Sequence, residues 1–389
     1  MAEALPAADW TRREDLAALV AALGTGKARY VGGAVRDTLL GIEVKDIDLA
    51  TVLEPKEVIA RCGSAGIRTV PTGIDHGTVT ALLEHSPVEI TTLRHDVSTD
   101  GRRATIAFAS EWQDDAARRD FTINALYADP ATLEISDFFG GMEDLKARRL
   151  RFIGDARQRI REDHLRILRY FRFQARFGSQ PPDNEAEAAC RELAATLKGL
   201  SRERIGMEMM AILALPDPAP AFARMAKLGV LAEVLPEARV KVLAELVMQE
   251  QRQDIAPDPL RRLASLLPAE VPLAEQVASR FRLSGAQKKR LALAAAREGA
   301  CGDARALAYR LGMDAALDRL LLAGADIAPL RDWAIPAFPL KGGEIVARGI
   351  KAGPEVARIL QQVEAQWIAE QFPGANRVSE LLEAQLNGR

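Results

Sequence analysis

Histidine, cysteine and aromatic residues are scarce in this sequence, and each scarcity excludes something. Four histidines occur in 389 residues, His76, His85, His95 and His164, so the C-terminal half holds no histidine-based metal or catalytic site. The three cysteines, Cys62, Cys190 and Cys301, lie far apart and form no CxxC pair. That speaks against a zinc site or a disulfide framework and fits a reducing cytoplasm. Aromatics make up 5% of the chain, so sequential base stacking would not dominate any nucleic-acid binding. No apolar run approaches the ~20 residues of a membrane span. The N-terminus, MAEALPAADWTRREDL, lacks the basic start and apolar core of a signal peptide. Net charge is only −2, so contact with nucleic acid must come from a local basic patch rather than from the molecule as a whole.

What is present is ordinary globular material, 48% hydrophobic and 27% charged, long enough for two or three domains. Residues 1–154 alternate short helical and strand-like segments, the mixed pattern of an α/β or α+β domain, with α+β the class expected. Residues 11–23 read as an amphipathic helix and Ala28–Val31 as a strand ending at Gly32-Gly33. Residues 34–40 read as a helix, Ile47–Ala50 as a second strand, and Pro55 as the first turn of another helix. Residues 78–83 and 88–93 alternate well enough to be paired strands, whereas the polar stretch 94–110, with Asp100-Gly101, predicts a mobile loop. Beyond residue 155 strand signals vanish, and proline breaks at 181–182, 216–220, 236, 257/259, 268 and 336/339 divide helices of ordinary length. The organisation expected is a mixed head (1–154), a helical neck (155–215) and a helical body and tail (216–389).

The segment YVGGAVRDTLLGIEVKDIDLAT, Tyr30–Thr51, has chemical content at each part. Gly32 and Gly33 let a ligand approach the backbone, and the helix that follows offers N–H groups to phosphate oxygens. Arg36, one turn on, can add a charge to the same phosphates. Asp46 and Asp48 are two apart, and on a strand residues i and i+2 share a face. Two carboxylates on one face beside a phosphate cradle suit Mg²⁺. A lone GG is usually a turn and a lone DxD usually a solvated pair; their combination, with Arg36 between, is far more specific.

This segment resembles the signature of the class II CCA-adding tRNA nucleotidyltransferase and bacterial poly(A) polymerase family, within the polymerase-β superfamily. There the pattern is GGxVRDxLLG followed by DxD, which stands here as residues 32–41 and then 46–48. The resemblance implies a polymerase-β-like head, magnesium binding by Asp46 and Asp48, and contact of Gly33 and Arg36 with the incoming nucleotide.

Residues 118–127, RRDFTINALY, read on spacing alone as a capped helix, with Asp120 near its start and Ile123, Leu126 and Tyr127 packing inward. They also match the family's RRDFTxNAL motif, which implies that Arg119 touches the nucleotide while Asp120 and Asn124 shape the ribose pocket. Residues 161–177 predict an amphipathic helix with Leu165, Ile167, Leu168, Phe171 and Phe173 buried. Asp163, Arg166, Arg169 and Arg172 recur every third residue; by themselves they would be a solvated face. The resemblance reverses that, because EDxxRxxR is the family's base-reading motif and Glu162-Asp163 and Arg166 fit it. The chemistry is consistent: cytosine and adenine each present an amino group beside an unprotonated ring nitrogen. A carboxylate accepts from the first while a guanidinium donates to the second. Uracil and guanine would leave buried polar groups unpaired, at about 1–3 kcal/mol each.

Residues 129–145 resemble the family's linking motif and read as structural: a strand, a glycine turn, then a helix. Glu89 is a candidate third acidic group, with an exposed strand glutamate as the blander reading. Arg94, Asp96 and the loop Asp100–Arg103 look family-like and are expected to order on substrate. Residues 146–176 hold eleven Lys/Arg against three Asp/Glu, a basic patch suited to a triphosphate and an RNA end. Arg261-Arg262 and Lys288-Lys289-Arg290 are candidate phosphate contacts, although solubilising surface charge is the commoner origin of such runs. Ile335–Trp367 is similar to tails of the bacterial branch, and the missing C-terminal histidines exclude the phosphohydrolase domain that branch sometimes carries.

The expected activity is template-independent addition of CMP, CMP and AMP from CTP and ATP to a tRNA 3′ end, with release of pyrophosphate. The alternatives are a poly(A) polymerase or an enzyme adding only CC or only A, which share these motifs, and a non-catalytic RNA-binding module on the same scaffold.

Overall fold

The computed structural model describes residues 3–100, 103–179, 181–297 and 302–387, with backbone alone for 95–100 and 103–107. Cys301, Gly101 and Arg102 lie outside the described residues, as do the side chains of Asp96, Asp100 and Arg103. Residues 1–236 and 237–389 form two compact units. The head, neck and body division expected from the sequence does not coincide with this split, since residues 216–236 of the expected body fall in the first unit.

The first unit is built on nine strands: β1 (Ala28–Val31), β2 (Ile47–Thr51), β3 (Thr69–Gly73), β4 (Thr78–Leu82), β5 (Pro87–Thr92), β6 (Arg94–Asp100), β7 (Arg103–Phe108), β8 (Leu126–Ala128) and β9 (Ile135–Asp137). Seven of them form one sheet in the order β3-β4-β5-β2-β1-β8-β9. β2 and β5 run parallel; the other neighbours are antiparallel. Alternating burial follows the pleat: Val88 and Ile90 on β5 are buried while Glu89 between them is exposed. Helices α1 (Glu14–Leu23), α2 (Gly33–Leu39), α3 (Pro55–Ser64), α4 (Trp112–Ala117) and α5 (Gly141–Lys146) accompany the strands. Then come α6 (Ala156–Glu162), α7 (Arg166–Phe177), α8 (Asn184–Leu193), α9 (Arg202–Leu213), α10 (Ala219–Lys227) and α11 (Val230–Val234). Among the described residues of the second unit every regular element is a helix. Among the described residues no helix is long and apolar enough to cross a membrane.

Three expectations are corrected here. The stretch 94–110 is not a loop: β6 and β7 pair antiparallel as a separate two-stranded sheet, closing with Asp100 opposite Arg103. Val97 and Thr99 on β6 and Thr105 and Ile106 on β7 favour extended backbone, a signal that the polar residues around them obscure. Residues 161–177 are not one helix, because α6 ends at Glu162 and Asp163 is extended (φ −150°, ψ 102°). The Asp163 carboxylate accepts from Leu165 N at 3.2 Å, the local side-chain-to-backbone bond that makes Asp a poor helix-interior residue. Finally, RRDFTINALY is not a capped α-helix; it is a single 3-10 turn, Thr122–Asn124, that leads into β8. Ile123, Leu126 and Tyr127 are buried as expected.

The linking segment shows how closely the chain packs beside the site. A Cβ on Gly141, at the start of α5, would stand 2.3 Å from the Thr122 carbonyl oxygen, so only glycine fits. Asp144 on the same helix is fully buried and accepts from Thr122 Oγ1 at 2.6 Å and Arg151 Nε at 2.8 Å.

Candidate active site

β1 delivers the chain to Gly32, whose φ of +69° suits a residue without a Cβ, and α2 starts at the next residue. β1 lies between β2 and β8, so this turn stands beside the segments carrying Asp46, Asp48 and the 3-10 turn. A cavity of about 760 Å³ opens here, within the range of small-molecule sites. Its lining includes Gly32, Gly33, Arg36, Asp46, Asp48, Arg119, Asp120, Asn124, Arg169 and Arg172. Ten residues named from the sequence are therefore gathered in one place.

Asp46 immediately precedes β2 and Asp48 is its second residue, and both carboxylates border the same cavity. The Asp48 carboxyl is pushed up to about 6, chiefly by burial and then by the negative charge of Glu89, with Arg119 pulling the other way and Asp46 adding to the rise. Glu89 is the register partner of Asp48 across the parallel β2–β5 pairing, so the two share a face of the sheet. It is exposed and does not border the cavity. Among the described residues no group of three or more His, Cys, Asp or Glu forms a metal cage. The donor set nevertheless fits a hard divalent cation: two carboxylates, no thiol, no imidazole. Such an ion ordinarily takes one or two protein carboxylates and completes its shell with phosphate oxygens and water.

The cationic side chains differ in how far the protein has already committed them. Arg36 is buried, with Nε 2.8 Å from Asp37 Oδ1 and Nη1 2.5 Å from Asn124 Oδ1. Its guanidinium lies over the Phe177 ring at 4.2 Å and the Phe173 ring at 5.3 Å. Burial pulls its pKa down, opposed by Asp37. Asn124 Nδ2 in turn donates to Asp120 Oδ1 at 3.0 Å, and Asp120 Oδ2 accepts from Arg169 Nη2 at 2.5 Å. A chain of bonds thus runs from α2 through the 3-10 turn to α7. Burial would raise the Asp120 carboxyl; Arg169 and Asn124 outweigh it and hold the group ionised. Arg172 is held by Glu208 of α9, Nε to Oε2 at 2.7 Å.

Asp163 and Arg166 do not border this cavity. Asp163 Oδ2 accepts from Arg204 Nη2 at 2.7 Å. Arg166 Nη1 reaches Glu162 Oε2 at 2.7 Å and Nη2 reaches the Arg118 carbonyl at 2.8 Å. Arg169, three residues along the same helix, is the first of the series inside the cavity. Sequence reasoning missed Arg176, which also lines the cavity and faces Asp37 at 3.5 Å. Arg169, Arg172 and Arg176 are spaced i, i+3, i+7, one helical face, and that spacing was the available signal. Lys45 and Asp37 line the cavity as well and were not singled out.

A mixed sheet that carries paired carboxylates beside a cation-lined cavity, followed by helices, defines a polymerase-β-like nucleotidyltransferase. Comparison with known proteins gives the narrower placement. The Poly A polymerase head domain matches residues 28–151, and the family described as "Probable RNA and SrmB- binding site of polymerase A" matches residues 182–241. The human mitochondrial CCA tRNA nucleotidyltransferase 1 is 36% identical over 360 residues, spanning 87% of this chain and 82% of that protein. The CCA-adding enzyme of Latilactobacillus sakei is 41% identical over 189 residues, 48% of this chain and 46% of that protein. The crystal structure of the Bacillus stearothermophilus CCA-adding enzyme in complex with CTP superposes with a TM-score of 0.77 at 25% identity, covering 96% of this chain and 98% of that one. The chain belongs to the class II CCA-adding tRNA nucleotidyltransferase family, which implies use of a divalent metal ion.

Proposed function

We propose that this protein adds CMP, CMP and AMP in turn to the 3′ end of tRNA, from CTP and ATP, with release of pyrophosphate. The observation that carries the reading is the convergence of Asp46, Asp48, Arg119 and the Asp120–Asn124 pair on one cavity, in a chain that spans most of the length of relatives named CCA tRNA nucleotidyltransferase.

Asp46 and Asp48 would hold Mg²⁺, which when bound supplies charge neutralisation for the triphosphate and acidifies the attacking RNA hydroxyl. The protein's own share is positioning and fixed charge. Arg119 faces the phosphates, Gly32 and Gly33 allow them close to the backbone, and Asp120 and Asn124 bound the ribose. Asp163 and Arg166 read the base. Each has capacity left: a carboxylate has about four lone-pair sites and a guanidinium five N–H donors. The described bonds use two of the former (Leu165 N and Arg204) and three of the latter (Glu162, the Arg159 carbonyl and the Arg118 carbonyl). Hydrogen-bonding capacity for an amino group and a ring nitrogen therefore remains on two side chains that stand outside the cavity's lining. On this reading residues 1–154 do chemistry, 155–215 select the base and 216–389 hold tRNA. The buried free thiols of Cys62 and Cys190 suit a cytoplasmic setting.

The test is purified protein, tRNA lacking its CCA end, Mg²⁺ and each labelled triphosphate alone or paired. CTP alone should add two residues, ATP should add one only after them, and UTP and GTP should be refused. Repeated incorporation from ATP alone would replace the reading with poly(A) synthesis.

A further inference from the structure

Arg119 enters the cavity from a clamp that no motif describes. Its Nε donates to the Tyr127 hydroxyl at 3.1 Å and its Nη2 to Asp115 Oδ2 at 3.1 Å. The Tyr127 hydroxyl donates to the same Asp115 oxygen at 2.6 Å, which closes the triangle. Both clamp residues are sealed from solvent, Asp115 at 1% and Tyr127 at 0% exposure, whereas the Arg119 side chain keeps 20%. Asp115 is fixed from its other side by Arg118 Nε at 2.8 Å, and the Tyr127 ring is packed edge-on by Trp112 and Phe138. A planar guanidinium bonded along one edge has its plane and direction set. The remaining Nη1 stands at Gly32, 3.4 Å from where a Cβ would lie, and Arg119 lines the same cavity as Asp46 and Asp48.

We propose that Tyr127 and Asp115 are positioning residues that aim the Nη1 edge of Arg119 at the nucleotide's phosphates between Gly32 and the two aspartates. This rests on the reading of Arg119 as a phosphate contact. It explains why a tyrosine hydroxyl is buried beneath a polar cavity: a phenylalanine would fill the same space but leave Arg119 Nε and Asp115 each short of a partner.

The experiment measures KM and kcat for CTP and ATP with Tyr127→Phe, Arg119→Ala and the double variant of the full chain. Tyr127→Phe should raise KM about tenfold, the factor one well-placed hydrogen bond commands, with a smaller change in kcat. In the Arg119→Ala background it should change KM little, because nothing remains to aim. A residue that only supports the fold would lower the active fraction equally in both backgrounds, and that result overturns the proposal. So does an unchanged KM in Tyr127→Phe while Arg119→Ala raises it. If Arg119→Ala itself leaves KM unchanged, the phosphate reading beneath the proposal fails. Should Tyr127→Phe not fold, Asp115→Asn gives the same comparison through equilibrium binding of a fluorescent CTP analogue.

Discussion

The two units of this protein use arginine in opposite ways. In the first unit Arg169, Arg172 and Arg176 border a cavity with 31%, 24% and 43% of their side chains exposed. In the second, Arg261 and Arg262 are sealed at 6% and 2%, paired with Glu250 at 2.8 Å each and, for Arg261, with Asp318 at 2.9 Å. Arg290 joins the same cluster through Asp318 at 2.7 Å. The Arg261-Arg262 pair is therefore neither a phosphate contact nor solubilising surface, as the sequence suggested, but part of a buried ion-pair network. A run of adjacent cations says little about purpose until its partners are known. Acids of the fold pair with the arginines in both units; what differs is that Arg169, Arg172 and Arg176 keep part of each guanidinium open on a cavity, while Arg261 and Arg262 are closed off.

The comparison breaks most sharply at the carboxylates. Asp48→Asn should lower nucleotide incorporation by roughly 10³-fold, the scale of losing a fixed charge at the reacting phosphate. Its melting temperature should be unchanged or raised, because burial and Glu89 already disfavour the ionised carboxylate. A loss of activity that merely tracks unfolding would remove Asp48 from the site. Glu250→Ala should do the reverse. It strips a counter-charge from two buried guanidiniums, at a cost of about 3–5 kcal/mol read by denaturant titration. The folded fraction should keep its KM for CTP. If the KM rises with little change in stability, the network serves substrate after all and the contrast between the units dissolves.

Which parts of this were legible in the sequence follows from how far apart the determining residues lie. Gly32-Gly33, Arg36 and the Asp46/Asp48 pair sit within one short segment, and spacing alone places them on a turn, the helix after it and the start of a strand. The strands at 78–83 and 88–93 were visible because apolar residues alternate; the pairing of β6 with β7 was not, because β6 holds a single apolar residue, Val97. The break at Asp163 escaped because the apolar pattern runs on through it while one carboxylate caps the next turn. Arg261 was misread because its partners Glu250 and Asp318 are 11 and 57 residues away, and no local pattern reports them. The clamp on Arg119 was hidden for a related reason: Tyr127 and Asp115 are on a strand and a helix whose approach only the fold decides.

Asp115 offers the smallest and sharpest test, since it is a buried ion-pair partner in the manner of Glu250 yet lies beneath the cavity. Burial would raise its carboxyl, but Arg119, Arg118 and the Tyr127 hydroxyl outweigh that and bring it to about 2 from an ordinary 3.8. A carboxyl whose pKa is depressed on folding contributes stability above the unfolded value and loses it as pH falls through the folded one. The contribution should therefore be complete above pH 5 and fade between about 4 and 2, by about 2 kcal/mol in all. Other carboxylates titrate in the same window, so the measurement is a difference: unfolding free energy of the parent minus that of Asp115→Asn, followed from pH 6 to pH 2. That difference should shrink as acid is added. A flat difference would mean that the arginines hold Asp115 no more tightly in the folded chain than water does in the unfolded one. Arg119 would then be free to turn, and the contrast between a clamped and an open cation would have to be redrawn within the active site itself.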